Sequence, residues 1–232
     1  MIKYFIIFIS NIHLMSLEIK EHNGICYPKD NNCPVINAML KDRTWEQKIT
    51  NIFEDYVKPD WVCLDIGTFI GMHTMTLAKK CRYVIGFEAQ PLIYSCLKRT
   101  IKSKDLNNVI LHNVALSSSK GMTKIHTNND GNASLQGIRD HKFKWSYHIK
   151  KNTLDSYDIP RVDLMKIDIE GSEWDMLEGA IYLINKNRPI IILETFRGKK
   201  NKEKLEAFCK RFNYFHQYIS ADNYLLRQIT VG

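Results

Sequence analysis

The stretch Asp65-Ile66-Gly67-Thr68-Phe69-Ile70-Gly71 constrains this chain more than any other. It follows the apolar run Trp61-Val62-Cys63-Leu64, which reads as a short buried strand. It precedes Met72 to Lys80, whose spacing is helical. The glycines therefore belong to a tight strand-to-helix turn, where backbone N–H groups and a helix N-terminus face the carboxyl end of the strand. A dinucleotide fingerprint needs Gly-x-Gly-x-x-Gly to hold an anionic pyrophosphate, and the carboxylate of Asp65 would repel one. A sulfonium cofactor bearing an ammonium group would be attracted. Alone, the pattern also fits an ordinary glycine-rich turn of an α/β protein, so its context decides.

A chain of 232 residues with 44% hydrophobic content can bury a full core without a second domain. The simplest division is an N-terminal extension over 1–44 and one α/β domain over 45–232. The net charge of +8 suits an anionic partner, although Lys and Asn are spread over the whole chain and a solvated surface explains any single Lys run. Six cysteines without a Cys-x-x-Cys pair read as reduced thiols of a cytoplasmic protein, with a Cys26–Cys33 disulfide as the alternative. The eight scattered histidines suggest no metal site. Residues 1–15 open like a signal sequence, but the apolar run Tyr4 to Ile9 is too short to span a bilayer. A signal sequence and a start at Met15 account for them equally well, and a plain N-terminal strand or helix accounts for them better than either.

Trp45 to Val57 carries one apolar helical face and could cover a pocket ahead of the first strand, or simply pack on the core. A second strand, Tyr83 to Phe87, ends in Glu88, placed to accept both hydroxyls of a ribose. After a helix over Leu92 to Ser103, a third strand is expected over Val109 to Leu116, its far end, Asn113 to Leu116, flanking an adenine.

Together, Asp65-Ile66-Gly67 through Gly71, Phe87-Glu88-Ala89-Gln90-Pro91, Asn113-Val114-Ala115-Leu116, Thr153-Leu154-Asp155 and Lys166-Ile167-Asp168-Ile169-Glu170-Gly171-Ser172-Glu173 resemble the FkbM-type S-adenosylmethionine-dependent methyltransferases. The resemblance covers residues 60–197. It implies a class I methyltransferase (Rossmann-like) fold, a seven-stranded mostly parallel sheet with helices on both faces, and O-methylation of small molecules or sugars. The cofactor residues it points to are Asp65, Gly67, Thr68, Gly71, Glu88, Ala89, Asn113 and Ala115. Phe69 departs from the pattern, standing where the family commonly has a small residue or Asn, and a bulky residue tolerates a positive φ poorly.

Residues 121–151 read as an insertion: a strand over Gly121 to Asn128, a turn at Asn129-Asp130-Gly131, and the small-residue segment Asn132 to Leu135. The sequon Asn132-Ala133-Ser134 is incidental under the family reading. Phe143, Trp145 and Tyr147 alternate with basic residues, as a half-buried edge strand or a base- or sugar-binding face would. The insertion is expected to form a substrate-facing flap.

The strand over Val162 to Glu170 puts Lys166, Asp168 and Glu170 on one side, which is costly unless they line a pocket or pair. An ion pair between Lys166 and Asp168 satisfies that condition structurally. Asp168 is expected to orient the site and Glu170 to accept a proton, with Glu194 at the end of the next strand as the third candidate. Ser172 and Asp175 suggest a helix cap, a basic loop is expected over Arg197 to Lys204, a helix from Leu205, and a C-terminal antiparallel hairpin after it. Two other classes stay open. An oxidoreductase would use the same fold but lacks its Gly-x-Gly-x-x-Gly and Tyr-x-x-x-Lys signatures here, and a non-catalytic nucleotide-binding protein would need no base. Among methyltransferases an RNA substrate is the alternative, against which stands the missing Asn/Asp-Pro-Pro-aromatic arrangement.

Overall fold

The computed structural model describes residues 19–29, 33–127, 133–134, 145–196 and 198–229. The signal-like segment, the turn at 129–131, Asn132, Phe143 and Arg197 lie outside the described residues. The chain opens with the hairpin β1 (Ile19–His22) and β2 (Ile25–Pro28), then α1 (Pro34–Met39) and α2 (Gln47–Tyr56). Next come β3 (Val62–Ile66), α3 (Met72–Ala78), β4 (Tyr83–Phe87), α4 (Pro91–Ser103) and β5 (Val109–His112). The middle holds β6 (Ala115–Leu116), β7 (Gly121–Thr127), β8 (Ala133–Ser134) and β9 (Trp145–Asn152). The last part holds β10 (Leu164–Ile167), α5 (Glu173–Glu178), α6 (Ile181–Asn187), β11 (Ile190–Glu194), α7 (Lys199–Phe212), β12 (Tyr214–Ser220) and β13 (Asn223–Gln228).

The principal sheet has seven strands in the order β12-β13-β11-β10-β3-β4-β5. The five from β11 to β5 run parallel, and the terminal hairpin joins antiparallel through β13 on β11. Successive residues of these strands point to opposite faces, which splits the core in two. Leu64, Met165, Ile191 and Leu226 pack under α5, α6 and α7. Their neighbours Cys63, Leu164, Ile192 and Leu225 pack under α2 and α3. Strands buried on both faces explain the nearly continuous apolar runs read from the sequence.

The described part of residues 1–44 packs on this body. The Cys26 amide donates to Thr100 Oγ1 of α4 at 2.8 Å, and Tyr27, Cys33, Ile36 and Met39 share an apolar cluster with Ile70. Cys26 and Cys33 are free thiols, as are the other four cysteines. No helix of the described residues is long and apolar enough to cross a membrane.

Several expectations from the sequence are corrected. The strand expected over Val109 to Leu116 breaks at Asn113, because the Asn113 amide donates to the carbonyls of Glu88 at 2.8 Å and Ala89 at 3.2 Å and turns the chain. Residues 115 and 116 leave the principal sheet and pair with β9 in a second sheet, ordered β6-β9-β7-β8. Because β9 lies between β6 and β7, it is not an edge strand. The Ser172 hydroxyl makes no capping bond; Asp175 instead takes the hydroxyls of Ser117 at 2.7 Å and Ser118 at 2.6 Å. The basic stretch expected as a loop is mostly the first turns of α7, which begins at Lys199. Asp155 caps a distant helix, accepting the Tyr182 and Leu183 amides of α6, each at 2.9 Å.

Candidate active site

The carboxyl ends of β3, β4, β10 and β11 open into a cavity of about 270 Å³. Its first half is built by the turn after β3. Gly67 sits at φ +84°, and a Cβ there would lie 1.7 Å from the Asp168 carbonyl oxygen, so this residue lets two strand ends approach. Thr68 follows with a buried hydroxyl that has no partner among the described residues. Phe69 adopts φ +49° despite its bulk. Its amide donates to Glu88 Oε2 at 2.9 Å, and the Gln90 amide donates to Oε1 at 2.8 Å. Two backbone donors thus fix the Glu88 carboxylate and leave lone pairs for a ligand. Burial pushes Glu88 up to about 7 against the pull of those amides. Ala89, Val114, Ala115 and Leu116 complete this half with apolar surface, and Ile125 of the second sheet closes over it.

The second half is charged. Lys166 Nζ lies 2.8 Å from Asp168 Oδ2, and Glu194 occupies the next strand end. Burial alone would raise Asp168, but the Lys166 ammonium and a hydrogen bond from Glu194 hold it low. Burial, followed by that shared hydrogen bond and the repulsion of Asp168, pushes Glu194 far up, so the pair carries one proton between them. Burial would lower Lys166, yet the charges of Asp168 and Asp65 more than offset it. Glu170, at φ +53°, also lines the cavity.

Above these groups lies a wall from the segment ahead of α2. Glu46, at φ +44°, directs its carboxylate to His73 Nε2 at 2.9 Å and takes the Asn223 amide at 3.1 Å. Trp45 beside it is half-buried and lines the cavity.

The structure brings together Gly67, Thr68, Glu88, Ala89, Ala115, Asp168 and Glu170 on the cavity wall. Asp65, Gly71 and Asn113 stand behind it. Asp65 is fully buried, with one oxygen on the Thr74 hydroxyl at 2.5 Å and the other unpartnered among the described residues. Burial pushes it up against the opposing Lys166 charge. At Gly71 a Cβ would lie 2.4 Å from Leu97 Cδ1, so this glycine serves helix packing. Sequence reasoning passed over Glu46 and His73. The signal for His73 was its place in the first turn after the glycine motif; for Glu46, whose partners lie 27 and 177 residues away, there was none.

An open turn with an unpartnered hydroxyl, a fixed carboxylate at the second strand end and an apolar slot beyond it suit a nucleoside cofactor on this fold, and the acid excess suits a cationic one. The chain matches the Methyltransferase FkbM domain over residues 65–226. It is 25% identical over 172 residues to the hexuronic acid methyltransferase AglP of Haloferax volcanii, covering 71% of this chain and 68% of that one. In fold it is similar to the methyltransferase FkbM of Methylobacillus flagellatus KT, with a TM-score of 0.55 and 15% identity over 83% of this chain and 52% of the other. It is also similar to Trm5b of Pyrococcus abyssi, with a TM-score of 0.50 and 16% identity over 90% of this chain and 53% of the other. The chain therefore spans about half the length of these solved structures. The matched region runs from the end of β3 into β13, more than half of the chain, and the chain belongs to the FkbM methyltransferase family.

Proposed function

We propose that the protein methylates a hydroxyl group of a sugar. The observation that carries this is the group of three carboxyl residues, Asp168, Glu170 and Glu194, gathered with Lys166 at the end of the cavity beyond the Glu88 slot. The similarity to a hexuronic acid methyltransferase supports a carbohydrate acceptor.

S-adenosylmethionine, the methyl donor in this reading, would supply an electrophilic methyl on a sulfonium. Glu88 would accept the ribose hydroxyls, while Gly67, Thr68, Ala89 and Ala115 would shape the nucleoside slot. Asp65 acts from behind the wall, helping to hold the Lys166 charge, and Gly71 and Asn113 hold the loops in place. Asp168, kept ionised by Lys166, places fixed negative charge at the reacting end and accepts a hydrogen bond that orients the acceptor. Lys166 also makes Asp168 a weak base, and Glu194 already holds a proton. Glu170 is therefore the residue that would accept the proton of the acceptor hydroxyl. Free, buried cysteines fit a cytoplasmic setting for this reaction.

An RNA acceptor fits less well, because the lining carries Glu46, Glu88, Asp168 and Glu170 against Lys166 and His73, which repels phosphodiesters. Incubation of the full chain with methyl-labelled cofactor and separate pools of glycans and RNA tests the reading. Alkali-stable label in glycans is expected. Label confined to RNA, or absent from every glycan, would refute it.

A further inference from the structure

The geometry points to Trp45 as the platform on which the acceptor's pyranose ring lies, a specificity residue that contributes no proton transfer. This deepens the sugar reading above and rests on it.

The first observation is where the residue is held. Asn223, whose amide donates to Glu46, is the register partner of Glu194 on the neighbouring strand, so the Trp45–Glu46 wall stands beside the acid end of the cavity. The second is how firmly it is held. Glu46 adopts a left-handed conformation unfavourable for a residue with a Cβ, and such conformations persist where surrounding bonds over-determine them. Here the bonds to His73 and Asn223 do so, while the Glu46 carbonyl accepts the Ile49 amide at 2.9 Å and the Thr50 amide at 3.1 Å to start α2. The indole is thus mounted on a fixed backbone, half-buried, and lines the cavity.

The third observation is chemical. A flat apolar face opposite carboxyl groups matches a ring whose one face is C–H and whose edge is hydroxyl. The C–H face meets the electron-rich face of the indole, and the hydroxyl edge meets Glu170 and Asp168. A flexible polar acceptor would gain nothing from the indole, and a polyanion would meet repulsion at the same wall.

The test uses the full chain with labelled S-adenosylmethionine and the methyl glycosides of glucose, galactose, mannose and glucuronic acid. Trp45→Leu keeps apolar bulk and removes the aromatic face; Trp45→Phe restores a face. For whichever glycoside is methylated, Trp45→Leu should raise KM at least about tenfold with kcat and S-adenosylhomocysteine affinity unchanged, and Trp45→Phe should recover most of the loss. An unaltered KM in Trp45→Leu overturns the platform while leaving sugar methylation standing. Loss of S-adenosylhomocysteine binding in Trp45→Leu overturns it too, since the indole would then belong to the cofactor wall. If the wild-type protein methylates none of the glycosides, the sugar reading falls and the platform with it.

Discussion

The amide of Phe69 donates to Glu88 Oε2 at 2.9 Å, so the strained residue of the glycine turn anchors the carboxylate that ends the neighbouring strand. The turn after β3 and the end of β4 are thus one unit. Replacing Glu88 with Ala should remove both the ribose acceptor and the partner of the Phe69 amide, weakening cofactor binding by at least about tenfold. Calorimetric titration with S-adenosylhomocysteine measures it.

Glu88 also makes binding and stability depend on pH. Its folded value, about 7, lies above the ordinary 4.5, so between those limits the folded protein binds the extra proton. Its contribution to stability is therefore fully present below about 4.5 and lost as pH rises through 7, on the order of 3 kcal/mol in all. Thermal melts of the cofactor-free protein should show this fall, and Glu88→Gln should flatten it relative to wild type. Cofactor affinity should move the other way, rising by roughly tenfold from pH 6 to pH 8 as the carboxylate ionises.

Lys166 is nearly fully buried between Asp168 and Asp65. Lys166→Met should leave these two acids without a counter-charge and cost about 3–5 kcal/mol. Chemical denaturation reads the loss, and the double variant with Asp168→Asn should recover part of it.

Asp168→Asn and Glu170→Gln should each slow methyl transfer by about 10²- to 10⁴-fold with cofactor affinity nearly unchanged. Single-turnover assays on an identified acceptor decide. Full activity in both would move the base elsewhere, with Glu194 next.

Gly67→Ala should be the most damaging change to the turn. Its Cβ would meet the Asp168 carbonyl at 1.7 Å in a left-handed conformation, adding a main-chain clash to a backbone cost of about 1–3 kcal/mol. Loss of the cooperative melt, or a large drop in its midpoint, is the expected result.

The parallel strands were legible because burial on both faces writes itself as apolar runs, and Glu88 was legible because it ends one of them. What escaped depended on partners distant in sequence. The break at Asn113 follows from its bonds to Glu88 and Ala89, and the fate of Asp175 from serines 57 and 58 residues away. The Lys-rich start of α7 has few apolar residues to set a period. Asp65 reads from the sequence as a contact and is fully buried behind the cavity wall, since sequence gives a residue's strand position but not the depth of the wall before it.

The bonds from Glu46 to His73 and Asn223 set an order of assembly. Asn223 lies on β13, which must insert between β11 and β12 before its amide can reach Glu46. During synthesis, the wall that carries Trp45 therefore has the His73 bond alone until β13 has left the ribosome, although the strands whose ends form the cavity are already translated. A nascent chain halted before residue 223 would have one of the two bonds that hold Glu46.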